Sequence, residues 1–378
     1  MEKTEKNNNE IRIINLNSYI KPMIVETSYK EWIQYGETND YFGYIIERYN
    51  NSVTNSAVIN GIIDMIYGKG LNANDASTKP NEYAQMISLF KKSEIKRLVA
   101  DLKLLGNGAL QIIYNRNHTK IVEVYHVPVQ YLRAEKADEE SVVNGYYYST
   151  HWDKIYGKNK PQRVPAFGTS NEPLEILYFQ NYKPGSTYYT PPDYQPGLAY
   201  AELEEEIASY HINNIKNGFA PSTLINFNNG QASTNEQKQA IEASINKKFS
   251  GTAGNKIVLS FNDNAESETS IETIQLSDAH NQYQFLSDEA SKKIMVAHRV
   301  TSPMLFGIST SNGFNSNTDE LKTSSIFMYE TVINPFQETL IDGFDKILSF
   351  NEIALDLFFV PNQPWKVIAE ESTNITPE

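Results

Sequence analysis

Two long helical stretches bracket a compact insertion in this chain, and that arrangement limits its architecture more than any other feature. The first stretch, LAYAELEEEIASYHINNIKN after Pro196, stops at Gly218 with Pro221 just beyond. Its ~20 residues span about 30 Å as an α-helix. The second runs from about Ser277 to Arg299 and ends before Pro303. Between them a strand at 222–227 leads through a capping pair, Ser233 with Glu236, into a helix ending near Phe249 and Gly251. Further strands are expected at 256–261 and 271–275.

At about 100° per residue, the first long helix places Tyr200, Leu203, Ile207 and Tyr210 on one side and Ala201, Ala208, Ile212 and Ile215 on another. Between them lies a polar wedge of Glu202, Glu205, Glu206, Ser209 and Asn213. Two apolar flanks and one polar face suit a subunit of a ring, which touches a neighbour on each side and turns one face to water. They equally suit a helix wedged between two elements of its own chain. Periodicity does not separate intrachain from interchain burial, so both readings stand at this point.

The rest of the chain reads as α+β. Val53, Val58, Ile62, Ile63 and Ile66 recur at helical spacing up to Gly68, and a second helical pattern covers about Asn81 to Leu105, closed by Gly106. Strands are expected at 109–114, 121–127, 145–150 and 174–179, followed by the Pro- and Tyr-rich loop NYKPGSTYYTPPDYQ, which reads as a boundary. After the second long helix comes the uncharged loop ISTSNGFNSNT, then a capping pair, Asn317 with Glu320, that opens a helix reaching about Phe350. Pro335 sits inside that helix and cannot donate to Thr331, so a bend is expected there. The strand-like run IALDLFFV precedes a polar tail. Residues 1–30 carry no periodic pattern and read as an arm.

Composition removes most chemistry. The chain has no cysteine, which excludes disulfides, thiol catalysis and cysteine-based zinc sites. Its six histidines, His118, His126, His151, His211, His280 and His298, include no pair at metal-binding spacing. His280 and His298 lie about 27 Å apart along one helix, too far to share an ion. The segment SGTAGNKIV (250–258) follows a helix and enters a strand, the reverse of a phosphate loop, and Ile257 stands where a hydroxyl is needed. The acids of the 202–206 run and the mixed cluster Lys91, Lys92, Lys96 and Arg97 read as solvated faces. No catalytic residue, metal or cofactor is expected. Forty-six acids against 33 bases give a net charge of -13, unsuited to broad adhesion to nucleic acid. The start of the chain lacks the apolar core of a signal peptide, and no run approaches the ~18 apolar residues of a membrane span.

Several strings, in their order, resemble the portal proteins of tailed double-stranded DNA bacteriophages. They are DLKLLGNGALQIIY (101–114), HVPVQYLR (126–133), NGFAPSTLI (217–225), KKFSGTAGNKIVLSF (247–261), HRVTSPMLFG (298–307) and VINPFQETL (332–340). The resemblance implies an α+β portal-type subunit with an α/β wing at 31–195, paired stem helices at 196–218 and 277–300, and a small α/β clip at 219–276. A tunnel-loop region at 301–318, a kinked tunnel helix at 319–350 and a last wing strand with its tail at 351–378 complete it. The tunnel loop would comprise Ser309, Thr310, Ser311, Asn312, Gly313, Phe314, Asn315, Ser316 and Asn317, with Phe314 at the constriction. The family's crown domain would be short or missing here.

By the same resemblance the chain would form a homo-oligomeric ring, a dodecamer in the virion, at one capsid vertex, assembled in the bacterial host cytoplasm. Its partners would be the terminase large subunit, neck or adaptor proteins, and the major capsid protein or scaffold. Double-stranded DNA would pass through without sequence-specific binding, and the chain would be no enzyme and need no membrane. Two alternatives remain at this stage. Another ring component of the virion, such as a neck adaptor or tail protein, shares the assembly and the lack of catalysis. A carbohydrate-binding or carbohydrate-cleaving protein would account for 24 tyrosines, although these are spread along the chain and not gathered beside a carboxylate pair.

Overall fold

The computed structural model describes residues 21–216, 223–227, 257–261, 279–308 and 318–362. Its central layer is an antiparallel sheet in the order β5–β4–β9, formed by Ile121–His126, Asn107–Tyr114 and Leu174–Gln180. Helix α4 (Lys92–Leu105) runs directly into β4, and Gly106 makes the turn between them at φ 73°. Only glycine fits there, since a Cβ would meet the Thr190 carbonyl oxygen at 2.5 Å as well as occupy the left-handed region. Leu98, Leu102 and Leu105 on α4 and Leu110 and Ile112 on β4 are buried in one core with Phe179 of β9. Burying each such side chain contributes roughly 1.5–3 kcal/mol against exposure.

A second antiparallel sheet, β6–β7–β8, joins Leu132–Ala134, Gly145–Tyr148 and Gln162–Pro165. The parallel pair β10 (Thr223–Phe227) and β11 (Ile257–Phe261) lies in the insertion between the long helices. A parallel pair requires a crossover of a dozen or more residues, which residues 228–256 supply. The strand expected at 271–275, the capping pair Ser233 and Glu236 and the 233–251 helix lie outside the described residues. Near the end, β12 (Leu357–Phe359) pairs antiparallel with β3 (Leu71–Ala73), which ties the last strand back to the first half of the chain.

The single helix expected from Asn81 to Leu105 is two helices, α3 (Pro80–Leu89) and α4. Phe90 leaves the helical region at φ -97°, ψ 77° to bury its ring against Phe344 at 4.7 Å. Leu89 and Ile95 are six positions apart, so one helix would turn them to different faces. Helix α1 (Tyr41–Asn51), absent from the sequence expectation, precedes α2 (Val53–Tyr67) with Ser52 between them. The Ser52 side chain accepts the Asn55 amide at 3.2 Å and so caps α2.

The expected long helix up to Phe350 has three parts: α7 (Thr318–Met328), a wide-turn π segment (Tyr329–Ile333) and α8 (Asn334–Phe350). The α-helical pattern thus gives way in the turn before Pro335, where the ring would clash with the preceding carbonyl, and resumes at once. Phe336, Leu340, Phe344 and Ile347 of α8 are buried in the main core.

Several tyrosines are structural. Tyr35 stacks on Tyr189 at 4.6 Å and Tyr146 on Tyr178 at 4.9 Å; Tyr35, Tyr146 and Tyr189 are buried and Tyr178 is half-buried. The Tyr189 hydroxyl donates to the Ile33 carbonyl at 2.7 Å and accepts the Ala134 amide at 2.9 Å. Such rings are not available to stack on a sugar.

Candidate functional site at the root of the paired helices

The two long helices are α5 (Leu198–Lys216) and α6 (Ala279–Ala297). Gly197, just before α5, lies so close to Ala297 that an added Cβ would reach its methyl at 2.7 Å. At the other end Tyr210 stacks on Tyr283 at 4.3 Å. Start meets end and end meets start, so the pair is antiparallel.

Burial changes along the pair. At the root, Leu198, Ala201, Ala290, Ile294 and His298 are fully enclosed. Ile207 is still only 7% exposed, but Ile212 is 51% and Ile215 65% exposed, and on α6 Phe285 is 66% and Val296 71% exposed. On α5 the root is therefore packed into the subunit and the outer part carries bare apolar side chains, whereas α6 exposes Val296 even at its root end.

Three acidic residues lock α5 to the first two helices. Tyr44 donates its hydroxyl to Glu202 Oε2 at 3.2 Å, and the Arg48 guanidinium sits 3.6 Å from Glu202 and 3.1 Å from Glu205. Asn51 Nδ2 donates to Glu205 Oε1 at 2.7 Å. Glu204 accepts from the Ser52 hydroxyl, from the Thr54 amide at 3.2 Å and from the Thr54 hydroxyl at 2.6 Å. Its carboxylate thus lies against the amide-rich N-terminus of α2, where a negative charge is favoured. Arg48 is itself buried, and its charge is balanced by this acidic set.

This corrects the reading of the polar wedge as one open face. Glu202 and Glu205 are engaged by α1, whereas Glu206, Ser209 and Asn213 are exposed. It also corrects the assignment of Ile207 to a subunit contact, because that side chain is covered by its own chain. Tyr200 and Leu203 are half-buried, Tyr210 is partly exposed but stacked on Tyr283, and Ile212 and Ile215 are exposed. The solvated reading of the 202–206 run fails for the same three acids. Their partners lie on α1, an element not foreseen.

The return helix is fixed by a second set of contacts. His298 donates from Nε2 to Asn55 Oδ1 at 2.9 Å and stacks on the Tyr194 ring at 4.3 Å. Burial, and then the nearby Lys103 charge, hold the His298 pKa well below the ordinary imidazole value, so the ring is neutral. Lys103 of α4 is completely enclosed, with Nζ 2.7 Å from Asp193 Oδ1 and over the rings of Tyr194 and Phe336. Desolvation lowers its pKa, opposed by the Asp193 carboxylate. Arg299 Nη2 reaches the other Asp193 oxygen at 3.5 Å, and Nη1 donates to the Thr331 carbonyl at 3.2 Å. Asp193 therefore joins the wing core, the end of α6 and, through Arg299, the π segment.

Among the described residues, the contacts at this root are ion pairs, hydrogen bonds and ring stacks that hold the helices in place. Among the described residues no group of three His, Asp or Glu side chains is placed to hold a metal ion. The buried Glu175 carboxylate is fully used, accepting from Tyr114, Gly168 and Ser170. In the basic cluster Lys96 pairs with Asp64, Arg97 with Glu94, and Lys91 lies over the Tyr125 ring. No described helix is long and apolar enough to cross a membrane. The tunnel-loop residues Ser309 to Asn317 lie outside the described residues. The geometry is that of two antiparallel helices anchored at one end by buried ionic contacts.

No curated protein sequence matches the chain. Among solved structures it resembles a chain of the virion of a native gene transfer agent particle, with TM-score 0.57 and 14% identity over 90% of this chain and 91% of that one. A chain of the neck of the native particle, computed with C12 symmetry, gives TM-score 0.54 and 15% identity over 88% of each. An HK97 family phage portal protein from Corynebacterium diphtheriae gives TM-score 0.50 and 11% identity over 88% of this chain and 97% of that one. At such identities these likenesses establish a shared fold. The family model for phage portal proteins matches residues 73–362, which contain the central sheet, both long helices, the insertion and the interrupted helix, and the chain therefore belongs to the phage portal protein family.

Proposed function

We propose that the chain is one subunit of a ring-shaped portal at a capsid vertex, through which double-stranded DNA enters and leaves the particle. Beyond family membership, the observation that supports this reading is the contrast along α5: a root locked into the wing and an outer half whose Ile212 and Ile215 are 51% and 65% exposed among the described residues. Water-facing apolar side chains at that spacing suit a neighbouring copy. Glu206, Ser209 and Asn213, on the exposed part of the polar face, would then look into the channel.

In this reading residues 219–276 form the clip that docks the terminase large subunit and neck or adaptor proteins, and the wing meets the capsid or scaffold. Residues 309–317 form the tunnel loop, whose hydroxyl and amide side chains touch DNA without holding it. The subunit itself performs no covalent chemistry. A net charge of -13 is consistent with a conduit, because each phosphate contact steepens the salt-dependent affinity that resists sliding.

The deciding experiment is electron microscopy of the purified protein viewed down the particle axis. A closed ring is expected, with twelve subunits in the particle, and a monomer that persists at high concentration would overturn the proposal. Lys at Ser311, Asn312 and Asn315 should leave rings intact but slow DNA packaging at low salt, with relief as salt rises. Deletion of 219–276 with a short linker should abolish terminase association while leaving the wing folded.

A further inference from the structure

An uncovered apolar groove lies away from the helix root. It encloses about 570 Å³ between α2, the turn at Pro303–Phe306, α7 and the π segment. Met65, Leu305, Leu321, Ile326, Ile333 and Pro361 line it. Asp64 and Glu330 are the charged residues on its walls, so the groove is apolar with an acidic border.

The chain is led directly to this groove. The Val360 carbonyl accepts the Lys69 amide at 2.8 Å, and Asn362 Nδ2 donates to the Asp64 carbonyl at 3.3 Å. The next residues are Gln363, Pro364, Trp365, Lys366, Val367 and Ile368. Trp365 is three positions past Asn362, which keeps it within about 10 Å of the groove wall. Its ring is suited to a dry apolar site, since an aromatic side chain buries about 150–250 Å². Lys366 brings a positive charge toward Glu330, which accepts from the neutral Asn334 amide at 3.0 Å, while Asp64 is already paired with Lys96.

We propose that residues 363–368 of this same chain fill the groove, with Trp365 and Ile368 as anchors and Lys366 facing Glu330. The segment then pins α7 and the π segment to α2 and sets the angle at which the interrupted helix leaves the wing. This assignment does not rest on ring assembly, so the two proposals stand or fall separately.

Because the chain has no cysteine, a single introduced one reports alone. Ser325→Cys places a thiol on the groove wall, and its maleimide labelling is to be compared in the otherwise native chain and in a Trp365→Ala/Ile368→Ala form. The two must share the same circular dichroism and the same assembly state by light scattering. Labelling about tenfold slower in the otherwise native chain is expected, which corresponds to about 1.4 kcal/mol of docking. Equal rates would overturn the proposal. A Ser325→Cys/Ile368→Cys chain should form an intramolecular disulfide on oxidation at every dilution. Disulfides between unlike chains, when the two single-cysteine proteins are mixed, would reassign the groove to a neighbouring copy and also overturn it.

Discussion

Arg299 donates to the carbonyl of Thr331, the oxygen that residue 335 would serve in a regular α-helix if it were not proline. A residue just past the end of α6 therefore occupies the place where the interrupted helix loses its own ladder. Arg299 holds φ 57°, an unusual value for a side-chain-bearing residue, and its guanidinium also reaches Asp193. The end of one long helix and the break in the next are thus coupled by one side chain.

That coupling is measurable. Arg299→Ala should cost about 1 kcal/mol, the size of one net hydrogen bond, because its side chain is about half exposed and solvent screens the Asp193 contact. In a Pro335→Ala background the same change should cost less than half as much, since an alanine amide can serve Thr331. Chemical unfolding of the four proteins in a double-mutant cycle tests this, and strictly additive costs would show that the two positions are independent.

Lys103 and Asp193 should respond asymmetrically. Asp193→Ala leaves an enclosed ammonium without its carboxylate, and breaking a buried pair in this way costs about 3–5 kcal/mol. Lys103→Met removes the buried charge and keeps an unbranched apolar chain beside Tyr194 and Phe336, while Asp193 retains Arg299. The methionine variant should be clearly the more stable of the two by thermal unfolding. The opposite order would mean that Asp193 is not the balancing charge for Lys103.

His298 gives the fold a pH dependence of known sign. Its pKa is lowered in the folded state, so below the ordinary imidazole value of 6.5 the unfolded chain binds a proton that the folded chain refuses. Stability from this group is complete above pH 6.5 and falls as pH drops, by up to about 1.4 kcal/mol per pH unit. His298→Gln keeps a donor for Asn55 Oδ1 but does not titrate. Between pH 7 and 5.5 its unfolding midpoint should change less than that of the native chain, and an equal change in both would remove His298 as the cause.

The sequence was informative where a single segment carried its own signal. The apolar periodicity around Leu203 and Ile207, the Gly106 stop and the Pro335 break each state a local rule, and α5, α4 and the π segment follow. What could not be read was which partner an ionic side chain finds. Glu202, Glu204 and Glu205 look like a solvated run until α1 is known to cross them, and α1 was missed because Gly43 and the adjacent Asn50 and Asn51 blur its pattern. Lys103 likewise reads as one more surface lysine among α4's charges, yet it is enclosed because Asp193 arrives from a loop 90 positions away. The burial of Ile207 was undecidable for the same reason, as its cover comes from elements distant in sequence.

That distinction yields a test for the ring interface. Ile207→Asp places an unpaired charge in the subunit's own packing, and should destabilise the subunit before any question of assembly arises. Ile212 and Ile215 stand in solvent in the single subunit, so aspartate there costs the isolated fold within about 0.5 kcal/mol, as for other surface substitutions. In a ring the same charges would be buried against a neighbour. Ile212→Asp and Ile215→Asp should therefore unfold at nearly the native temperature as monomers, yet fail to close rings in sedimentation or electron micrographs. Ile207→Asp should lose folded protein altogether. If Ile212→Asp/Ile215→Asp still sediments as an intact ring, the outer face of α5 does not contact a neighbour, and the apolar surface that closes the ring must be sought on α6, where Phe285 and Val296 are equally bare.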